Sequence, residues 1–230
     1  MRIDIWSDVV CPFCWIGKRR FEQALAALGE HAPVVQVHWQ PFQLDPDASD
    51  TPVPLRQAYA AKFGGAERTE QLLNQTQANA RSEGLPMDFG RGQVKVSTFK
   101  AHRVLWLAGT LGVQDAVAEA LFRAHFEHGQ NLADNAVLAH AAAAGGIAPE
   151  RVQAMLASDE GLDQVNAGLA QGRQLGISSV PTFVIDGRYA VQGAQPAEVF
   201  AQVLAKIAAE QDGVNVTAAP DACGEQGCDI

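Results

Sequence analysis

Val9-Val10-Cys11-Pro12-Phe13-Cys14-Trp15-Ile16-Gly17 is the stretch that decides the fold, because two different periodicities meet there. Residues 2–8 before it alternate between apolar and polar side chains, which predicts a strand. After it, apolar residues recur at helical spacing as far as Gly29, which predicts a helix that begins at Pro12. Residues 34–42 are again alternating and β-branched, which predicts a second strand and hence a βαβ unit. Cys11 therefore lies at a predicted strand-to-helix junction.

The middle of the chain is dominated by alanine, leucine, glutamine and glutamate. It predicts helices over residues 55–63, 67–83, 97–109, 113–128, 134–144, 149–157 and 159–175, with little sign of a strand. The β pattern returns at residues 182–185 and 189–192, which the turn Asp186-Gly187 joins as a hairpin. A last helix is predicted from Pro196 to Glu210. We therefore expect an α/β fold with a helical insertion between its two β-containing ends.

Composition excludes several classes of function. The 17 Lys and Arg residues against 26 Asp and Glu residues leave a formal charge of -9. No basic tract is present to contact a row of phosphates, so nucleic-acid binding is not expected. Acidic residues interrupt the apolar run in Met1–Asp8, and no later segment has about 18 uninterrupted apolar residues. We expect a cytoplasmic protein without a membrane span.

The cysteine pair at the start of the first predicted helix favours redox chemistry. A thiolate is stabilised where a helix N-terminus directs unpaired N–H groups at the sulfur, and Cys11 has that position. Pro12 fits the first helical position, where its missing N–H would have no partner within the helix. Cys14 lies one turn further on and is the expected resolving thiol, which attacks a mixed disulfide formed on Cys11. The spacing thus predicts a nucleophile and a resolver.

A zinc site is the alternative for the same residues. The chain has four cysteines, and Cys11, Cys14, Cys223 and Cys228 together could supply a closed tetrahedral set of sulfur ligands. Structural zinc usually holds short segments that lack a core of their own, whereas Cys11 and Cys14 open an ordinary amphipathic helix. The redox interpretation is therefore favoured over zinc binding and over a chance spacing.

A second indication comes from Gly176-Ile177-Ser178-Ser179-Val180-Pro181-Thr182-Phe183-Val184-Ile185. Here a proline directly precedes a strongly apolar run. By itself this is also compatible with an ordinary proline at the start of a strand.

The chain resembles the DsbA-type thioredoxin-fold oxidoreductases, in particular their cytoplasmic FrnE-like branch, which is related to the 2-hydroxychromene-2-carboxylate isomerases. The resemblance rests on Asp8–Cys14, on Ser97-Thr98-Phe99-Lys100-Ala101-His102-Arg103 and on Val180-Pro181-Thr182-Phe183. It implies a thioredoxin-like domain of residues 1–50 and 176–210 and an inserted helical domain of residues 51–175. It also implies a cis Val180–Pro181 bond beside the cysteines, with the Val180 backbone facing the substrate.

The resemblance also distinguishes two kinds of enzyme. The isomerases have a serine at the position of Cys11 and use bound glutathione, so a glutathione-dependent isomerase or transferase of small molecules is the rival hypothesis. Because Cys11 and Cys14 are both present, we expect thiol-disulfide exchange on protein substrates with no bound cofactor. Glutathione or a thioredoxin-type reductant is the expected electron partner. The direction of electron flow and the oligomeric state stay open, as does a non-catalytic zinc-binding or redox-sensing module.

Five further residues are candidate modulators of the cysteine pair. Pro12 and Phe13 separate the two cysteines. A cation from His102 or Arg103 near Cys11 would stabilise its thiolate, although a helical histidine is more often a packing residue. Asp8 could accept a proton from Cys14 if it is buried, and would have no role if it is exposed.

Residues 211–230 are predicted to form a flexible tail with a second cysteine pair. Cys223-Gly224-Glu225-Gln226-Gly227-Cys228 contains two glycines, so its backbone bends readily to join the sulfurs. The 12 residues from Gln211 to Cys223 could span roughly 40 Å and reach Cys11. The tail pair is therefore a candidate relay or resolving arm, with a zinc site and two unrelated thiols as the alternatives.

Overall fold

The computed structural model describes the backbone of residues 1–216 and the side chains of residues 1–211. The strands are β1 (Arg2–Ser7), β2 (Gln36–Pro41), β3 (Val53–Pro54), β4 (Val94–Lys95), β5 (Thr182–Ile185) and β6 (Tyr189–Gln192). The helices are α1 (Pro12–Leu28), α2 (Leu55–Phe63), α3 (Ala66–Ser82), α4 (Phe99–Thr110), α5 (Gln114–Phe126), α6 (Asn135–Ala143), α7 (Pro149–Leu156), α8 (Leu162–Gln174) and α9 (Ala197–Val216). Short 3-10 helices occupy Gly29–His31 and Phe89–Arg91.

Four strands form one sheet in the order β2-β1-β5-β6. β1 is parallel to β2 and antiparallel to β5, and β5 and β6 form the predicted hairpin. The parallel pair requires a crossover, which α1 supplies. α1 and α9 pack against each other, and Phe21 of α1 and Phe200 of α9 meet Phe183 of β5 in an aromatic cluster. This arrangement is the thioredoxin fold, so the predicted fold class is confirmed.

The residues between β2 and β5 form seven helices, α2–α8, and each agrees with a predicted helix to within about three residues. Two details of the prediction were wrong. β3 and β4 pair in this region, but a ladder of two residues per strand is too short to produce a detectable alternation. α9 continues to Val216, past the predicted start of the tail at residue 211. A single interior glycine, Gly213, costs only about 1 kcal/mol and does not end a long packed helix.

Helices α2–α8, here called the helical block, pack against the outer edge of β2. A side chain of this block forms hydrogen bonds with the backbone of that strand. The Gln114 side chain accepts a hydrogen bond from the Trp39 N–H at 2.8 Å and donates one to the Trp39 carbonyl at 3.0 Å. It thus satisfies backbone groups that an edge strand otherwise leaves unpaired. On α8, a Cβ at Gly172 would lie 2.8 Å from Nε1 of Trp6, so glycine permits the close approach of this helix to the sheet.

Charged contacts attach α1 to α5. The Trp15 indole donates to the Glu119 carboxylate at 3.2 Å, and Nζ of Lys18 lies 3.2 Å from Glu119 and 3.3 Å from Asp115. Burial opposes the charge of Lys18, but the surrounding carboxylates outweigh it, so the pKa of Lys18 is raised. The helix that carries the cysteines is therefore fixed to the helical block as well as to the sheet. None of the helices within residues 1–216 is long and apolar enough to cross a membrane.

Candidate active site

Cys11 occupies the N-cap position of α1, where its backbone is extended (φ -90°, ψ 112°) and Pro12 begins the first turn. The Cys11 side chain makes no capping hydrogen bond to the N–H groups of the helix, and its sulfur is placed against the Val180 carbonyl instead. Cys14 follows one turn later, and its N–H donates to the Cys11 carbonyl at 3.1 Å. Cys11 is 4% exposed and Cys14 is fully buried, and both are free thiols. Both cysteines are therefore buried, and Cys11 is the one that keeps a small exposed fraction.

Burial raises the pKa of the Cys14 thiol well above its usual value, and the contact with Cys11 acts in the same direction. Hydrogen bonds from the Ser7 side chain and the Asp8 backbone oppose this shift. Since only a thiolate attacks a disulfide, Cys14 needs a base to become a nucleophile.

The loop before β5 lies against Cys11. The Val180–Pro181 peptide bond is cis, as the resemblance implies. The Val180 carbonyl is 3.7 Å from Sγ of Cys11, and Pro181 is buried. The structure therefore brings the Cys11 and Val180-Pro181 motifs, 169 residues apart in the sequence, to one site.

Asp8 is buried, which meets the condition on which its predicted role depends. Its Oδ2 accepts a hydrogen bond from the Leu44 N–H at 2.8 Å, whereas its Oδ1 has no hydrogen-bond partner. Nε2 of His102 lies 3.6 Å from this Oδ1 and 2.8 Å from the Phe42 carbonyl. A carbonyl only accepts, so the His102 Nε2–H is donated to Phe42. His102 is thus a buried neighbour of Asp8.

Arg103 does not join the site. Its guanidinium donates to the carbonyls of Met155 at 2.6 Å, Ser158 at 2.6 Å and Glu160 at 2.7 Å. These carbonyls belong to the last turn of α7 and to the segment that follows it, so Arg103 stabilises the C-terminal end of this helix. The sequence-based expectation that this cation lies near Cys11 was wrong, because neighbouring helical residues point about 100° apart and only His102 faces Asp8.

The structure adds two ring side chains that sequence reasoning missed, the half-buried Tyr59 of α2 and the buried His125 of α5. Burial, followed by the negative charges of Cys11 and Asp8, raises the pKa of Tyr59 to about 12. Burial lowers the pKa of His125 to about 4 despite the charge of Asp8 and a hydrogen bond with the Gln130 backbone. Both line a pocket of about 120 Å³ with Asp8, Val10 and Leu44. Neither residue belongs to a recognisable sequence motif, so the sequence alone does not mark Tyr59 or His125 as part of a site.

Cys223 and Cys228 lie outside the described residues, so the predicted second redox pair stays a prediction. In the part of the chain that the structure describes, no group of three or more His, Cys, Asp or Glu side chains is placed to hold a metal ion.

A cysteine at a helix N-terminus, a second buried cysteine one turn on and a cis-proline loop beside them define a thioredoxin-fold dithiol protein. Within that class, the chain belongs to the DSBA-like thioredoxin domain family, whose model matches residues 2–205. This is a family of thiol-disulfide oxidoreductases.

Two relatives cover nearly the whole chain. The probable DsbA oxidoreductase SCO1869 from Streptomyces coelicolor is 36% identical in sequence to this chain, and its crystal structure superposes with a TM-score of 0.85. The match covers 100% of this chain and 99% of that one. The uncharacterized protein YwbO of Bacillus subtilis is 26% identical over 207 residues, which are 89% of this chain and 96% of YwbO. The cytosolic disulfide reductase DsbM from Pseudomonas aeruginosa shares the fold at 18% identity and a TM-score of 0.59, with 93% of this chain and 100% of that one covered.

Proposed function

We propose that the protein is a cytoplasmic dithiol-disulfide oxidoreductase or isomerase of protein disulfides, as in the FrnE-like branch. The observation that carries the proposal is the geometry of Cys11. Its sulfur lies at a helix N-terminus, 3.7 Å from the Val180 carbonyl, with Cys14 buried one turn behind it.

The reaction begins when the Cys11 thiolate attacks a substrate disulfide. A bond forms between Cys11 and one substrate sulfur, and the other substrate sulfur leaves as a thiolate that takes up a proton. Cys14 then loses its proton and attacks Sγ of Cys11, which releases the second substrate sulfur as a thiolate. The substrate gains two electrons, and Cys11 and Cys14 become a disulfide. In the reverse direction the same steps oxidise a substrate dithiol.

Asp8 is the proposed proton acceptor for Cys14. It is a buried carboxylate whose backbone already hydrogen-bonds to the Cys14 sulfur, and its Oδ1 has no competing partner. Because Cys14 is fully buried, its proton must leave through a protein group. A general base held in position typically accelerates a proton-transfer step by on the order of 10²–10⁴-fold.

The surface around Cys11 suits an extended or unfolded polypeptide. Phe13 and Leu44 are each 44% exposed, although both are large apolar side chains. Val10 and Val180 are half-buried beside Cys11. An apolar rim of this kind binds apolar segments that a folded substrate hides. The Val180 backbone is the proposed partner for the substrate main chain.

The direct test is trapping of the mixed disulfide. Cys14→Ser is expected to accumulate a covalent complex with an unfolded protein whose single cysteine forms a mixed disulfide with an aromatic thiol, which leaves as the thiolate when Cys11 attacks the protein sulfur, and Cys11→Ser is expected to form no such complex. Wild-type protein is expected to restore activity to a scrambled disulfide protein in a glutathione buffer. Complete retention of that activity in Cys11→Ser would contradict the proposal.

A glutathione-dependent isomerase or transferase of small molecules is the second candidate. The pocket of about 120 Å³ beside Val10 provides a site near Cys11, and Lys62 and Lys95 on its wall could attract a carboxylate. The related fold of DsbM has been solved with glutathione, at 18% identity. Such an enzyme would keep its activity in Cys14→Ser, whereas the oxidoreductase loses it. A non-catalytic zinc module would instead carry about one zinc ion per chain when purified under reducing conditions.

A further inference from the structure

Asp8 contacts both cysteines through its backbone, while its side chain depends on a single hydrogen bond. The Asp8 carbonyl accepts the Cys11 N–H at 2.9 Å, and its backbone also hydrogen-bonds to the Cys14 sulfur. In the side chain, Oδ2 accepts the Leu44 N–H at 2.8 Å, and the buried Oδ1 has no hydrogen-bond partner. A buried carboxylate needs such donors, because burial disfavours an uncompensated charge. The position of the Leu44 N–H therefore controls how the Asp8 carboxylate is oriented.

His102 anchors the segment between β2 and β3, which carries this N–H. Nε2–H of His102 is donated to the Phe42 carbonyl at 2.8 Å, two residues before Leu44. Phe42 also donates its own N–H to the Ser7 carbonyl at 3.0 Å, next to the last paired residues of β1 and β2. Phe42 is thus fixed between the sheet and α4. His102 lies beside Asp8 as well, since its Nε2 is 3.6 Å from Oδ1 and both side chains are buried.

Lys100 provides a comparison within the same helix. It lies two residues before His102, and its Nζ is 2.8 Å from the carboxylate of Asp50, further along the same segment. The Asp50 side chain is 53% exposed, and an exposed ion pair of this kind contributes at most about 1 kcal/mol. His102 is buried, so its loss would remove a donor from the Phe42 carbonyl in a part of the protein that water does not readily reach. Two residues of α4 thus hold one segment, at an exposed point and at a buried one.

We propose that His102 is a positioning residue for the cysteine pair and that it acts through Asp8. By holding the Phe42 carbonyl, it fixes the Leu44 N–H against Oδ2 of Asp8, which fixes the orientation of the carboxylate. His102 has no contact with a sulfur in this role and transfers no proton. The inference rests on the proposed dithiol chemistry, in which Asp8 accepts the Cys14 proton, and adds the residue that orients Asp8.

The test follows the two sulfur steps separately with a symmetrical aromatic disulfide, which releases one coloured thiolate at each step. It uses the full chain with Cys223→Ser and Cys228→Ser, so that Cys11 and Cys14 are the reacting thiols. The first colour phase reports the attack of Cys11 on the aromatic disulfide. The second phase reports the attack of Cys14 on the mixed disulfide.

His102→Leu removes the donor and is expected to slow the second phase about tenfold with the first phase unchanged, because small displacements of a catalytic group are costly in rate. His102→Gln keeps an N–H close to the position of Nε2 and is expected to bring the second phase back to within about threefold of the parent. Lys100→Gln, on the same helix and the same segment, is the matched control and is expected to change neither phase. His102→Asn, whose amide is too short to reach the Phe42 carbonyl, replaces His102→Leu if thermal unfolding shows that the leucine variant does not fold.

A purely structural role of His102 would not depend on the Asp8 side chain. In the Asp8→Asn background, we therefore expect His102→Leu to slow the second phase no further, which is the result of a double-mutant cycle on two residues that act as one unit. Equal slowing by His102→Leu in both backgrounds would overturn the proposal. A second phase of His102→Gln as slow as that of His102→Leu, or one of His102→Leu within twofold of the parent, would overturn it too. If the parent shows both phases but restores no activity to a scrambled disulfide protein, the proposed function fails while the positioning role stands.

Discussion

Gly17 and Pro181 are in contact across the site: a Cβ placed on Gly17 would lie 2.9 Å from Cγ of Pro181 and 3.4 Å from the Phe183 ring. α1 can therefore approach the cis-proline loop only because residue 17 has no side chain. Pro181 is buried in a packed environment and cannot move away freely.

Gly17→Ala is expected to destabilise the protein by about 1–3 kcal/mol, the usual cost of adding a methyl group to a filled core. The opposing gain from the higher helix propensity of alanine is about 1 kcal/mol, which is no larger than the smallest of these packing costs. Urea unfolding followed by far-ultraviolet circular dichroism measures the difference. Gln71→Ala, on an exposed position of α3, is the control and is expected to change stability by less than about 0.5 kcal/mol. An equal effect of both substitutions would contradict the close packing.

Asp8→Asn is expected to slow the release of substrate from the Cys11 mixed disulfide by at least about tenfold, because the amide cannot take the Cys14 proton. The attack of Cys11 on a substrate disulfide is expected to change much less. Quenched-flow detection of the mixed disulfide measures both steps. Asp45→Asn, a carboxylate on the same pocket but ion-paired with Lys95, is the matched control and is expected to leave release unchanged. Equal slowing in both variants would remove Asp8 from the mechanism.

Local signals made much of this fold predictable from the sequence. The strand before Cys11, the helix after it and the hairpin around Asp186-Gly187 each depend on neighbouring residues, so periodicity and turn chemistry identify them. The start of α2 at Leu55 and its end at Phe63 were predicted, because Pro54 precedes the helix and Gly64 follows it in a left-handed conformation.

The pocket beside Asp8 could not be predicted from local sequence signals. Asp8, Tyr59 and His125 belong to the β1–α1 loop, α2 and α5, and their proximity depends on how the helical block packs on the sheet. Each helix has an ordinary composition, so nothing in its own sequence marks the ring that lines the pocket with Asp8. Arg103 shows the converse, because the family-like Ala-His-Arg segment suggested a role that the packing of α4 on the α7–α8 turn excludes.

The depressed pKa of His125 makes stability depend on pH. Its pKa falls from 6.5 to about 4 because burial disfavours the charged ring, so the unfolded chain binds the proton more tightly than the native protein. Stability is therefore complete above about pH 6.5 and is lost as the pH falls towards about 4, by about 3 kcal/mol in all. Urea unfolding between about pH 7 and pH 4.5 avoids most carboxylate titration. His125→Phe is expected to flatten this dependence, and the exposed His140→Gln is not. A steep loss that persists in His125→Phe would assign the effect to other groups.

The end of α9 limits how far the tail can reach within one chain. Gln211 hydrogen-bonds to Asp186, whose side chain accepts from the Arg2 N–H at the start of β1, whereas Cys11 follows the far end of that strand. α9 continues to Val216, which leaves seven residues to Cys223, a reach of about 23 Å, and twelve to Cys228, a reach of about 40 Å. If the tail pair, which lies outside the described residues, resets Cys11, the kinetic order of the exchange distinguishes transfer within one chain from transfer to a second molecule.

A mixing experiment with two variants tests whether the tail thiols reduce the Cys11–Cys14 disulfide. Protein with Cys223→Ser and Cys228→Ser, oxidised at Cys11 and Cys14, is combined with reduced protein carrying Cys11→Ser and Cys14→Ser. Exchange between the two is expected to be second order in protein, and acid-quenched mass spectrometry of each chain follows it. Wild-type turnover that rises faster than linearly with protein concentration would assign the transfer to a second molecule. Turnover that is strictly first order, together with no transfer between the two variants, would show that the tail serves its own chain or none.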